Sequence, residues 1–221
     1  MAKNTSNHSP LSSSAHPSAA VPRRQERGAR RIEQLLDSAA LVFARDGYAM
    51  ATTNAIAVEA GVSPGTLYQF FRNKGQIAEA LAQRLVQRLG EVQASIEPLD
   101  ARGQPLAVLV ESITARFMAF HRANPAFEAL LLGADTSAEL AGSMQALYAD
   151  LLARLQEIIR SRAPASVPTE RCRLIADVCI LIFKAMLQTA LQADPLRVSS
   201  VEAELKLVLV SYLGSALGSG A

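Results

Sequence analysis

Thr52-Thr53-Asn54-Ala55-Ile56-Ala57-Val58-Glu59-Ala60-Gly61-Val62-Ser63-Pro64-Gly65-Thr66-Leu67-Tyr68-Gln69-Phe70-Phe71 is the stretch on which the reading of the chain turns. Either threonine can cap a short helix through Ala60, and Gly61 then offers a stop where positive φ suits glycine. Ser63-Pro64 is a second start, because the serine hydroxyl can accept an orphan N–H and proline at the first helical position loses none. Val62 and Leu67 fit a hydrophobic staple for this helix, which runs to about Phe71. Ala57 is small enough for two helices to cross closely, and Ile56, Val62, Leu67 and Phe71 supply apolar contacts to lock them. Such an arrangement is a helix-turn-helix. It leaves Pro64, Gly65, Thr66, Tyr68, Gln69 and Phe70 less constrained by a core and free to enter a major groove, with Ser63 beside them.

Upstream, Ile32, Leu35, Leu36, Ala39 and Phe43 mark one face of a helix from about Arg27 to Arg45, with Gly47 as its left-handed cap. Downstream, Asn73 starts a fourth helix, with Gln76 placed to reach back as in a capping box. Its apolar stripe is Ile77, Leu81, Leu85, Leu89 and Val92. Further amphipathic helices are expected over Leu106 to Ala123, after Asn124-Pro125, over Ala138 to Arg162, over Thr169 to Ala193, and from Ser200 to about Leu217. No stretch alternates as a strand and no internal repeat is visible, so the fold class is all-α.

The chain has 221 residues, half of them hydrophobic, enough for a substantial core without disulfide staples. Cys172 and Cys179, seven apart, would lie on one helix face roughly 10 Å apart along its axis, too far for a bridge within it. Pairing across a dimer or redox sensing stays open beside the plainer reading of two thiols in a reducing cytosol. The apolar runs Asp177 to Ala193 and Leu205 to Leu217 are broken by Lys184, Gln188, Ser211 and Gly214, so no membrane partner is expected. Residues 1 to 22 lack the compact apolar stretch of a secretory signal, and a cytoplasmic location is expected. The net charge of +2 is uneven: residues 1 to 75 carry 9 Lys and Arg against 5 Asp and Glu. Arg23, Arg24, Arg27, Arg30 and Arg31 make this a basic amino end that favours a phosphate backbone.

Phe43-Ala-Arg-Asp-Gly47-Tyr, the run Thr52 to Ser63, and Gly65-Thr66-Leu67-Tyr68-Gln-Phe70-Phe71-Arg-Asn-Lys74 together resemble the tetracycline-repressor (TetR/AcrR-like) family of transcriptional regulators, over roughly residues 28 to 81. The resemblance implies an N-terminal three-helix helix-turn-helix domain (28–76), linked by a long helix to a C-terminal helical domain for effector binding and dimerisation (77–217). The tails 1–27 and 218–221 are expected to be disordered. It implies that Thr53, Tyr68 and Lys74 hold phosphates, which positions the protein without reading sequence. Asn54, Gly65, Thr66, Gln69 and Phe70 then face bases. Gln69 suits adenine, and Phe70 or the Thr66 methyl suits a thymine methyl. Phe70 departs from the histidine or tyrosine frequent in the family, and Gly75 from a frequent glutamate.

Gly61-Val62-Ser63-Pro64-Gly65 also satisfies the G-x-S-x-G pattern of a hydrolase elbow, but a helix rather than a strand precedes the serine, and His8, His16 and His121 are the chain's three histidines. No phosphate loop, dinucleotide fingerprint or metal-ligand spacing appears. An enzyme, a cofactor and a metal are therefore not expected. The family's body implies a homodimer through the last two helices, for which Ile175, Cys179, Ile182 and Met186 with Leu205, Leu209 and Leu213 are suited, as they are for the monomer's own core. It also implies a small-molecule effector among the middle helices. Phe117, Phe120, Phe127, Leu131, Met144 and Tyr148 are the apolar candidates to line its pocket, and Arg116 and His121 the polar ones. The expectation is a ligand-responsive repressor on double-stranded, palindromic operator DNA. The alternative is a constitutive or architectural DNA binder without an effector.

Overall fold

Each helix boundary around the quoted stretch follows from a local hydrogen bond. In the computed structural model, which describes residues 20–96, 103–133, 138–192 and 194–218, Thr52 caps α2 (Thr53–Glu59) by accepting from Ala55 N at 3.1 Å. Ser63 caps α3 (Pro64–Tyr68) in the same way, accepting from Thr66 N at 3.1 Å. Between them Gly61 takes φ +63, with its N–H on Val58 O at 3.0 Å and Val62 N on Ala57 O at 2.9 Å. These are the paired bonds of a Schellman stop, whose positive φ glycine meets without strain.

Helix α1 (Ala20–Met50) precedes this unit. It starts before the expected Arg27, so residues 20–27 are helical where a tail was expected, and residues 1–19 lie outside the described residues. Gly47 has the expected positive φ, at 73, but its ψ of 163 makes a kink rather than an end. One more helical turn follows, in which Tyr48 packs its ring 5.7 Å from that of Phe43.

Helix α4 (Lys74–Ala94) opens on Asn73, whose side chain accepts from Gln76 N at 2.9 Å. Gln76 reaches back one residue further than a capping box, accepting from Arg72 N at 2.8 Å. Beyond it come α5 (Leu106–Ala123), α6 (Ala126–Gly133), α7 (Ala138–Arg162), α8 (Thr169–Gln192) and α9 (Pro195–Ala216). Helix α9 begins before the expected Ser200, because Asp194 caps it by accepting from Leu196 N at 2.9 Å and Pro195 follows at the first position. Among the described residues there is no strand.

Among the described residues two large cores hold these helices, beside a small cluster of Met118, Leu187 and Ala190. The first joins Leu35, Ala39 and Phe43 of α1 to Ile56, Leu67 and Ile77, then continues along α4 through Leu81, Leu85 and Leu89 to Phe120, Phe127 and Leu130. The head and the body therefore share packing across residue 76, and α6 lies directly along α1. The second core gathers Val110, Ile159, Cys172, Ile175, Leu205, Leu209 and Leu213. The stripe named above as suited to a dimer is thus spent inside the monomer: Ile175, Leu205, Leu209 and Leu213 are buried, and Cys179, Ile182 and Met186 pack against them. Among the apolar side chains left exposed on these helices are Leu174 and Leu181 on α8, at 50% and 61%, and Leu207 and Val208 on α9, at 59% and 39%. Helix α8 is long and apolar enough to cross a membrane by length and composition, yet only 28% of its most apolar window is buried.

Candidate nucleic-acid interface and effector cavity

The reading head is held to α1 by polar struts. Gln34 Nε2 donates to Ala60 O at 2.8 Å, and Arg84 of α4 reaches Glu33 and Asp37 of α1 at 2.8 and 2.9 Å. Thr53 Oγ1 and Tyr68 OH lie 3.0 Å apart in one hydrogen bond, so the structure brings together two of the expected phosphate ligands from different helices. Tyr68 is half exposed, and Asn54, Pro64, Gly65 and Gln69 are exposed beside it. Ser63 and Thr66 share a bond of 3.0 Å between their hydroxyls, and Ser63 Oγ also caps α3, so its first duty is structural. Its place on a turn between two helices is not that of a hydrolase nucleophile. Phe70 is half buried and packs against the core, which turns much of its ring away from bases.

Lys74 has a structural role beside its expected one. Its Nζ donates to Tyr48 O at 2.8 Å and to Ala49 O at 3.1 Å, and it sits 4.6 Å from the centre of the Tyr48 ring. The ammonium thus closes the carbonyl end of α1 and favours its partial negative charge. Two of its three N–H groups are engaged inside the protein, leaving one for a phosphate.

In the body, side chains of α4 to α9 line a cavity of about 580 Å³. Its wall is largely apolar and includes Phe117, Phe127, Met144 and Tyr148 as expected, together with Leu89 of α4 and Leu209 and Leu213 of α9. His121 lines it too, buried, with Nδ1 3.2 Å from Glu128 Oε1 and its ring edge-on to Phe120 and Phe127 at 5.3 and 5.7 Å. Two expected residues are elsewhere. Phe120 is buried in the first core, and Arg116 donates to the backbone oxygen of Ser95 and, at 2.9 Å, to its hydroxyl, closing the end of α4 instead of facing a ligand. A guanidinium one helix away from four orphan carbonyls is drawn to them. The side chain of Leu131 lies outside the described residues. Cys179 also lines the cavity, and burial pushes its thiol up to about 12, which keeps it protonated and unreactive at neutral pH.

The family of bacterial regulatory proteins, tetR family, matches residues 35–81, and the tetracyclin repressor-like C-terminal domain matches residues 105–213. This chain belongs to the tetR family. The two matches meet the head and the body in turn, and the protein is a tetR-family transcriptional regulator with a helix-turn-helix DNA-binding head. A tetR-family regulator from Streptomyces coelicolor has 26% identity and a TM-score of 0.54, covering 85% of this chain and 99% of that one. A tetR-like regulator from Rhodococcus sp. RHA1 has a TM-score of 0.63 at 21% identity, covering 86% and 97%, which speaks to the fold. Among curated proteins, the nucleoid occlusion factor SlmA of Actinobacillus pleuropneumoniae is 32% identical over 53% of this chain and 56% of its own length. The fatty acid metabolism regulator protein of Bacillus subtilis is 31% identical over 35% and 40%. The chain thus spans about half the length of the curated relatives it matches first.

Several polar side chains of this regulator's cavity were not anticipated. Gln93, Thr114, Glu128, Gln145, Lys184 and Gln188 line it. One of them was legible. Leu81, Leu85 and Leu89 step by four along α4, and the next step is Gln93, a polar residue at a core position.

Proposed function

We propose that this regulator is a ligand-responsive repressor: a cytoplasmic homodimer that sits on a palindromic operator and is released by a small, largely hydrophobic effector. The observation that carries this reading is the apolar cavity of about 580 Å³, a size that suits a small organic ligand, with Leu89 and Gln93 of α4 in its wall. The same helix begins at Lys74, which grips the end of α1 in the reading head. A ligand that fits the cavity only when α4 has moved would favour a spacing of the two heads that the operator does not accept. Exposed Leu174, Leu181, Leu207 and Val208 support a partner copy over α8 and α9, since a monomer leaves these apolar side chains in water. Thr53 and Tyr68 hold phosphates, Lys74 offers its remaining N–H to another, and Asn54, Gly65, Thr66 and Gln69 face bases.

The alternative is a constitutive DNA binder, toward which the name of the nucleoid occlusion factors points. The cavity distinguishes the two. A thermal-shift screen of small organic compounds should yield one that raises the melting temperature and weakens operator binding, measured by fluorescence anisotropy, by the same factor as operator weakens binding of the compound. A screen in which stabilising compounds leave operator affinity unchanged supports the constitutive binder.

A further inference from the structure

Two polar side chains on the cavity wall are more than nine-tenths buried: Gln93, whose Oε1 has no hydrogen-bond partner, and His121, whose Nδ1 lies 3.2 Å from Glu128 Oε1 without an aligned hydrogen bond to it. Burying an amide oxygen that accepts nothing destabilises a fold, and an apolar side chain would sit better after Leu81, Leu85 and Leu89 on the same stripe. Gln93 is on α4 and His121 on α5, so a single bound group can address both helices.

The charges around the cavity narrow what that group is. The lining cations meet other groups: Arg162 donates to Gln104 O at 2.9 Å, and exposed Lys184 lies 4.3 Å from the centre of the Tyr148 ring. Beside His121 stands a carboxylate, Glu128 Oε1 at 3.2 Å, which repels an anion at that place. Thr114 donates to Val110 O at 2.7 Å and is satisfied. An uncharged donor meets these conditions, because the Gln93 carbonyl accepts from it while the imidazole supplies a donor or an acceptor.

Taking the cavity as the effector site, we infer that Gln93 and His121 form its polar recognition point and select a neutral, mostly apolar molecule with a hydroxyl or N–H group over the corresponding carboxylate. Gln93 is then a specificity-determining residue, and it carries the ligand's polar end onto the helix that leads to the reading head.

The test uses three probes with one alkyl chain, decan-1-ol, 1-methoxydecane and decanoate, titrated by calorimetry into the full-length protein and into Gln93→Met and His121→Phe. Wild type should bind the alcohol at least about tenfold more tightly than the ether, which cannot donate, and more tightly than decanoate. Gln93→Met should reduce the alcohol-to-ether ratio to about one, and His121→Phe should lower it. Gln93→Met should also melt at a higher temperature without ligand and still bind operator, but no longer be released by the alcohol at the concentration that releases wild type. Equal affinities for alcohol and ether in wild type, a ratio unchanged in Gln93→Met, or tighter binding of decanoate would each overturn the inference. If none of the three binds while other screened compounds both bind and release operator, the ligand class is wrong and sensing stands. If no compound binds, both readings fall.

Discussion

Replacing Lys74 by alanine probes two roles that sequence and structure assign to one ammonium. The side chain donates to two carbonyls at the end of α1, at 2.8 and 3.1 Å, and lies 4.6 Å from the centre of the Tyr48 ring. Hydrogen bonds from a charged donor contribute about 1.5–3 kcal/mol when shielded, and this half-buried pair falls at the low end because water replaces part of what is lost. The cation over the ring adds about 0.5–1 kcal/mol and the helix end about 0.3–1 kcal/mol. These terms overlap, so the expected loss is about 1–2 kcal/mol, or a fall in melting temperature of roughly 2–8 °C for a chain of this size.

Calorimetry measures that loss, and a salt titration of operator binding measures the second role. If the third N–H meets a phosphate, the slope of log K against log salt becomes shallower by about 0.9 per subunit, and affinity falls alike for operator and scrambled DNA. An unchanged melting temperature would refute the capping argument. A lower melting temperature with an unchanged slope would keep Lys74 as the clasp of α1 and remove it from the DNA interface.

Gln69→Ala should leave the salt slope unchanged and weaken the cognate operator alone, by about 1–3 kcal/mol per half-site; equal weakening on scrambled DNA would deny it a base contact. Leu181→Asp, at a side chain 61% exposed, should convert a micromolar dimer to a folded monomer in sedimentation, and a dimer that persists would put the interface elsewhere. With the Cys179 thiol pushed up to about 12, only about one molecule in ten thousand is thiolate at pH 8. A thiol reagent should therefore modify this site in the native protein slowly, and faster by about tenfold for each unit of rising pH. Rapid labelling of Cys179 in the folded state at pH 8 would contradict its burial.

The parts of the fold that could be read from sequence are those decided within a few residues. Thr52, Ser63 and Asn73 cap their helices through bonds to the N–H three residues on, and Gly61 stops α2 by a bond pair closed within six residues. Asp194-Pro195 carries the same kind of signal, but the exposed residues after it offered no apolar period to confirm a helix, and the start was placed at Ser200. In the head, helical spacing collected Pro64, Gly65, Tyr68 and Gln69, which are exposed, together with Phe70, which packs against the core. It could not say that Lys74 would fold back onto Tyr48 and Ala49, because those carbonyls are 26 and 25 residues away and come near only once the kink at Gly47 is made.

The body was harder for a reason visible in α8. A helix whose apolar residues occupy one stripe states which side faces the core, whereas α8 carries Ile175, Cys179, Ile182 and Met186 on one side and Leu174 and Leu181 on another. Helical periodicity then finds a stripe without saying which neighbour covers it. The monomer's α7 and α9 cover the first set, so the second must be covered by something outside this chain or remain in water. A helix with apolar side chains on two sides suits two partners. Which side meets which depends on the order in which Leu205, Leu209 and Leu213 arrive from α9, a contact between distant segments that no spacing within α8 encodes.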